Sequence, residues 1–116
     1  MNDTIKSQLD YQKLLYTDLS ALDETTKISK SNTMILAILE ELGELMSEYR
    51  AFEWKKDKLV NKDTIQEELI DIYHFFANLC IIWGITSDEQ FKKIYFKKLL
   101  KNYERGKTHV NPSHNH

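Results

Sequence analysis

The 116 residues carry a formal net charge of -2, with 41% hydrophobic and 29% charged side chains. A chain of this length forms one domain, and its charge predicts no general affinity for nucleic acid or for an anionic membrane. The longest apolar run, at 79–83, is too short to span a bilayer, and the first ten residues are too polar for a secretory signal. The single cysteine excludes an intramolecular disulfide, so we expect a cytoplasmic protein.

Apolar residues at three- and four-residue spacing predict four amphipathic helices. Ser87 with Gln90, or Thr86 with Glu89, has the spacing of an N-terminal capping box for the fourth helix. Gly84 is a suitable C′ residue for the third helix. In chain order, the predicted elements are a helix over 4–22, a polar connector over 23–32, a helix over 34–54, a charged loop over 55–62, a helix over 63–83 and a helix from 87 onwards.

The expected fold class is all-α, because the four predicted helices, in a chain with three glycines and one proline, leave little room for a sheet. A four-helix bundle-like single domain is predicted over residues 1–105, followed by a flexible tail at 106–116. A monomer of this size would leave large aromatic side chains uncovered, so we expect a homo-oligomer. These side chains are Phe52, Trp54, Phe75, Phe76 and Trp83.

Two carboxylate motifs lie inside the second and third predicted helices. Glu41 and Glu44 flank the apolar face of the second helix, and Glu68 and Asp71 have the same angular offset on the third. If the two helices pack antiparallel, the four carboxylates converge and repel one another unless a cation neutralises them. Mg²⁺ suits such an oxygen-ligand site, especially one that also holds phosphate.

The alternative for either motif alone is a solvated flank of an amphipathic helix, which is the commoner meaning of Glu at i and i+3. Two such motifs at matching helical phase favour the metal site. The charge distribution supports it, because residues 40–71 contain ten acids and five bases, whereas 92–107 contain seven bases and one acid. An acidic site facing a basic segment is suited to metal-bound phosphates.

Together these features resemble the all-α nucleoside triphosphate pyrophosphohydrolases, and the dimeric dUTPase branch more closely than the MazG-like branch. The superfamily pattern of ExxE followed by ExxD matches the two carboxylate motifs, and residues 68–75 read ELIDIYHF, like the second motif of the branch. The Trp54-Lys55 pair and the spacing of Lys98, Asn102 and Arg105 also match that branch.

The resemblance implies Mg²⁺-dependent hydrolysis of dUTP or a related nucleoside triphosphate between the α and β phosphates. It implies that Glu41, Glu44, Glu68 and Asp71 bind the metal, with Glu41 or Glu44 as general base and Glu41 the preferred choice. It implies that Lys55, Lys98 and Arg105 contact the phosphates and Asn102 the sugar. Gln12 is the one match to the Gln and Asn that read uracil in the branch, and Trp54 either stacks on the base or packs in the subunit interface.

A second hypothesis is a non-catalytic helical interaction or regulatory module that keeps the bundle without the chemistry. Retention of all four carboxylates argues against it. Binding of a nucleotide in the presence of Mg²⁺ separates the two classes, because a pure interaction module should show none.

Overall fold

The computed structural model describes residues 2–15, 17–49 and 60–109, with the backbone alone at 108 and 109. These residues form four α-helices, one 3₁₀ turn and no strand, so the predicted all-α class is confirmed. The helices are α1 (Thr4–Leu14), α2 (Glu24–Glu48), α3 (Lys62–Ile82) and α4 (Asp88–His109), and the 3₁₀ turn is Leu19–Ala21. Within the described ranges, no helix has the combined length and apolarity that crossing a bilayer requires.

The first predicted helix divides into α1 and the 3₁₀ turn, so its predicted end at residue 22 was wrong. Asp18 is the reason. Its carboxylate accepts hydrogen bonds from the Ser20 backbone N–H at 3.0 Å and the Ser20 hydroxyl at 2.6 Å, which starts a new turn. Such local side-chain bonds compete with the helical ladder, and apolar spacing alone does not reveal them.

The predicted polar connector at 23–32 was also wrong, because α2 begins at Glu24. The Asp23 side chain caps the helix by accepting from the Thr26 N–H at 2.7 Å. Ser31 is buried in this stretch, and its hydroxyl accepts a hydrogen bond from the Trp83 indole at 2.8 Å. This hydrogen bond to α3 therefore helps to fix the first turns of α2, which lack apolar periodicity.

The other helix ends follow capping chemistry. Asn61 caps α3 by accepting from two backbone N–H groups. Gly84 takes φ +95° just after α3, and the Ser87 hydroxyl accepts from the Gln90 N–H at 3.1 Å at the start of α4, as predicted. The fourth helix continues to His109, four residues past the predicted domain boundary. The predicted flexibility of 110–116 concerns residues outside the described ranges.

The buried core lies at one end of the molecule. There α1 and the 3₁₀ turn pack on the C-terminal half of α3, while Met34 of α2 and Phe91 of α4 cover the edges. Its members are Ile5, Leu9, Leu19, Ala77, Cys80, Ile81 and Ile82.

Much apolar surface remains outside this core. Three apolar side chains of α2, Ile35, Leu42 and Tyr49, are exposed in the single chain. The Cα radius of gyration is 18.3 Å, whereas a compact domain of this length would have about 13 Å. The chain thus forms helices with faces that nothing within the described residues covers.

Candidate active site

The site lies on the seam between α2 and α3. Two hydrogen bonds give their relative direction: Trp83 to Ser31, and the Asn78 amide to the Met34 sulfur at 3.6 Å. Because residue numbers fall along α3 as they rise along α2, the helices are antiparallel. Two turns further along α2, the same antiparallel pairing brings Glu41 opposite Glu68.

Three carboxylates converge there. One oxygen each from Glu41, Glu44 and Glu68 lies within 4.8 Å of the others. Glu41 and Glu68 are half-buried and Glu44 is exposed. The cluster therefore opens to solvent on one side, where a polyanionic substrate can approach.

The three carboxylates lie close enough to repel one another electrostatically. A hydrogen bond with Glu68, desolvation, and the charges of Glu44, Glu68 and Asp71 together raise the pKa of Glu41 from 4.5 to about 7. Two carboxyl groups can share a hydrogen bond only when one of them carries a proton. With both ionised, the buried Oε2 atoms of Glu41 and Glu68 have no hydrogen-bond partner.

These orphaned oxygens fit a divalent cation, which would satisfy them and neutralise the repulsion. The three oxygens all lie within 4.8 Å of one another, a separation comparable to that of opposite ligands of one Mg²⁺, about 4.2 Å. The residues present therefore suit Mg²⁺.

Asp71 lies one turn from Glu68 and acts on Glu41 through its charge. It is exposed, and it lines an open groove of about 530 Å³ with Asp63, Gln66, Glu67 and Ile70. The structure thus brings three of the four predicted ligands into one cluster and places the fourth at its margin.

A separate cavity of about 450 Å³ contains Gln12. The rest of its wall is Gln8, Tyr11, His74, Phe75 and Asn78. The Gln8 amide donates to the buried Asn78 carbonyl oxygen at 3.0 Å, which orients both amides. Asn78 is seven residues beyond Asp71 on α3, a rise of about 10 Å, so the cavity and the carboxylates follow one another along α3.

The remaining predicted substrate residues are on α4 or outside the described ranges. Lys98 and Asn102 line an apolar cavity of about 380 Å³ between α3 and α4, and Arg105 lies further along α4. Trp54 and Lys55 fall within 50–59, outside the described residues. The cavity that contains Lys98 and Asn102 is therefore separate from the groove beside the carboxylates.

A comparison of the chain with protein-family models shows which family it belongs to. A family model described as dUTPase matches residues 4–109. This chain belongs to the dUTPase family. The match covers all four helices and supports a nucleoside triphosphate hydrolase of all-α fold. No curated protein and no solved structure matches the chain.

Sequence reasoning missed part of the Gln12 cavity. Neither His74 nor the Gln8–Asn78 pair was assigned to the site. A signal was present, because Gln8 and Gln12 are four residues apart on α1, as His74 and Asn78 are on α3. Only the contact between α1 and α3 shows that the two pairs face each other.

Proposed function

We propose that this member of the dUTPase family is a Mg²⁺-dependent nucleoside triphosphate pyrophosphohydrolase acting on dUTP or a related deoxynucleotide. The observation that carries the proposal is the cluster of Glu41, Glu44 and Glu68, with buried carboxylate oxygens that lack partners. Such an arrangement is unfavourable for stability alone and becomes favourable when a cation binds.

Glu41, Glu44, Glu68 and Asp71 hold the metal in this proposal. When bound, Mg²⁺ neutralises phosphate charge and increases the acidity of a coordinated water. A water molecule attacks the α-phosphorus, the bond from that phosphorus to the α–β bridging oxygen breaks, and pyrophosphate is released, leaving the nucleoside monophosphate. Glu41 accepts the proton of the water, since it is the carboxylate on which the charges of Glu44, Glu68 and Asp71 all act.

The base of the nucleotide occupies the Gln12 cavity. A volume of about 450 Å³ accommodates a base and sugar, Phe75 offers an aromatic ring for stacking, and Gln12 offers both a donor and an acceptor. The rise of about 10 Å along α3 from Asp71 to Asn78 is comparable to the separation of a base from its phosphates. Lys55, Lys98 and Arg105 bind the phosphates and Asn102 binds the sugar, while Trp54 either stacks on the base or packs in the subunit interface.

The enzyme acts as a homodimer or homotetramer. Five apolar residues on α2 are between 40% and 58% exposed, and their spacings of seven, four, three and four residues fit a coiled-coil seam. They are Ile28, Ile35, Leu39, Leu42 and Met46. Phe76 and Trp83, expected at the subunit interface, are also exposed in the single chain. Sedimentation of the wild type and of Leu39→Glu tests this, since a charge in the seam should shift the protein toward the monomer.

The activity test is pyrophosphate release from a panel of nucleoside triphosphates with and without Mg²⁺. We expect Mg²⁺-dependent turnover of dUTP or a related deoxynucleotide, lost in Glu68→Gln and kept in Glu40→Gln. Glu40 is a matched control, because it is an exposed α2 glutamate beside Glu41 and outside the cluster.

Absence of turnover with every member of the panel would reject the proposal. Calorimetry with a non-hydrolysable triphosphate then decides whether the chain is a non-catalytic module. Such a module would show no metal-dependent nucleotide binding.

A further inference from the structure

The fourth helix is attached to the rest of the chain at one end. Among the described residues its most extensive helix contact is with α1, and Phe91 packs against the core and meets the Phe76 ring of α3 at 6.2 Å between centroids. Beyond Phe91 the large apolar side chains are mostly exposed. The direction of α4 therefore depends on its first turn.

That first turn shares its caps with α1. The Asp88 carboxylate accepts from the Thr4 N–H at 2.8 Å, the Thr4 hydroxyl at 2.8 Å and the Ile5 N–H at 3.0 Å. In the opposite direction, the Asp3 carboxylate accepts from the Asp88 N–H at 3.0 Å and the Lys6 N–H at 2.9 Å. Each acid thus satisfies backbone donors at the start of the other helix.

Tyr73 connects this pair of caps to α3. Its hydroxyl lies 2.6 Å from the Thr4 hydroxyl. Because the Thr4 hydroxyl has one proton and directs it to Asp88, the Tyr73 hydroxyl must be the donor in that bond. We call Asp3, Thr4, Tyr73 and Asp88 the α1–α4 lock.

The lock does more than begin α4. The cap of α4 itself is Ser87, whose hydroxyl accepts from the Gln90 N–H. The Asp88 carboxylate is therefore directed at α1. Desolvation opposes its charge, but the bonds from Ile5 and Thr4 prevail and hold the pKa of Asp88 below its usual value.

The position of the C-terminal end of α4 depends on the lock because the helix is long. Lys98 is about 15 Å and Arg105 about 25 Å along the axis from Asp88. A tilt of about 10° at the lock would move Arg105 by roughly 4 Å, which exceeds the tolerance of a hydrogen bond. The side chains that bind phosphate in the proposed function therefore depend on a contact at the other end of α4.

We propose that the α1–α4 lock positions α4, and that Asp3, Thr4 and Asp88 are positioning residues for the nucleotide contacts of Lys98, Asn102 and Arg105. The second half of this statement rests on the proposed function. The first half concerns the direction of α4 and is tested without substrate.

The substrate-free test measures a distance between spin labels. Nitroxides at Lys13→Cys on α1 and Lys101→Cys on α4 are introduced into a Cys80→Ala background, and labelled chains are diluted with unlabelled chains. We expect one narrow distance distribution for the intact lock and a broadened or shifted one for Asp88→Ala. Thr4→Val, which removes only the hydroxyl bonds, should have a smaller effect in the same direction.

The matched control is Asp23→Ala, which removes a helix cap that binds only within its own helix. Loss of a cap should lower the melting temperature by about 4–8 °C in a domain of this size. In Asp23→Ala we expect that drop with the distance unchanged. An unchanged distance in both Asp88→Ala and Thr4→Val would overturn the proposal, as would equal broadening in Asp23→Ala.

The kinetic test separates positioning from simple destabilisation. At a temperature where all variants are folded, the lock variants should raise KM at least about fivefold and leave kcat within about twofold. Asp23→Ala should leave both unchanged. A fall in kcat at constant KM would contradict the assigned role. If even the wild type shows no turnover, the proposed function fails and the distance measurement still decides the lock.

Discussion

The two halves of α3 have different roles, one in the packed core and one in the candidate site. Its C-terminal half holds Ala77, Ile81 and Ile82, which are almost completely buried against α1 and the 3₁₀ turn. Its N-terminal half carries Glu68 and Asp71 beside the exposed Leu69 and Ile70. One helix thus joins a packed scaffold to a charged and sparsely packed site, so stability should come from one end and ligand dependence from the other.

The largest expected effect is at the scaffold end. Ile81 is 0% exposed and Ile70 is 54% exposed, so the same substitution compares the two halves. Ile81→Ala should lower the free energy of unfolding by about 2–5 kcal/mol, and Ile70→Ala by less than about 1 kcal/mol. Urea denaturation measures both, and equal losses would mean that another chain covers the site end.

The second-largest effect is expected on activity, when one carboxylate of the site is removed. Glu68→Gln and Asp71→Asn should each lower the rate of pyrophosphate release at least about 100-fold. The metal-free protein should melt at the same or a higher temperature, because one like charge has been removed. Activity within about twofold of the wild type would reject the ligand assignment.

Between pH 4.5 and about 7, the dependence of stability on pH should come from the site end. The pKa of Glu41 is raised from 4.5 to about 7 in the folded protein, so its stabilising contribution is complete below pH 4.5 and is lost as pH rises through 7. Metal-free wild type should therefore lose stability across that window relative to Glu41→Gln. Thermal denaturation at several pH values checks this, and parallel curves for the two proteins would contradict it. Added Mg²⁺ should restore stability in the wild type only.

The smallest expected changes in stability are those of replacing two glycines by alanine. Gly84, at the end of the scaffold half of α3, has φ +95°, so Gly84→Ala should destabilise by about 1 kcal/mol. Gly43 lies inside α2 between Glu41 and Glu44, and an added methyl group there would meet no neighbour among the described residues. Gly43→Ala should stabilise by about 0.5–1 kcal/mol. Denaturation midpoints test the opposite signs, and a loss at Gly43 would show that its space is filled in the native assembly.

Local chemistry in the sequence was enough to predict several features. The Ser87–Gln90 cap and the Gly84 terminus depend on neighbouring atoms only, so they were predictable. The approach of Glu41, Glu44 and Glu68 was also predictable, because equal helical phase and antiparallel packing bring them together. The metal role of these residues and of Asp71 stays a prediction.

Tertiary structure decided what depends on distant partners. The first turns of α2 have little apolar periodicity, and Ser31 is buried there through its bond to Trp83, 52 residues away. The α1–α4 lock joins Thr4 to Asp88 across 84 residues of sequence. Periodicity shows that a helix has an apolar face, but which neighbour covers that face depends on the packing of the whole chain.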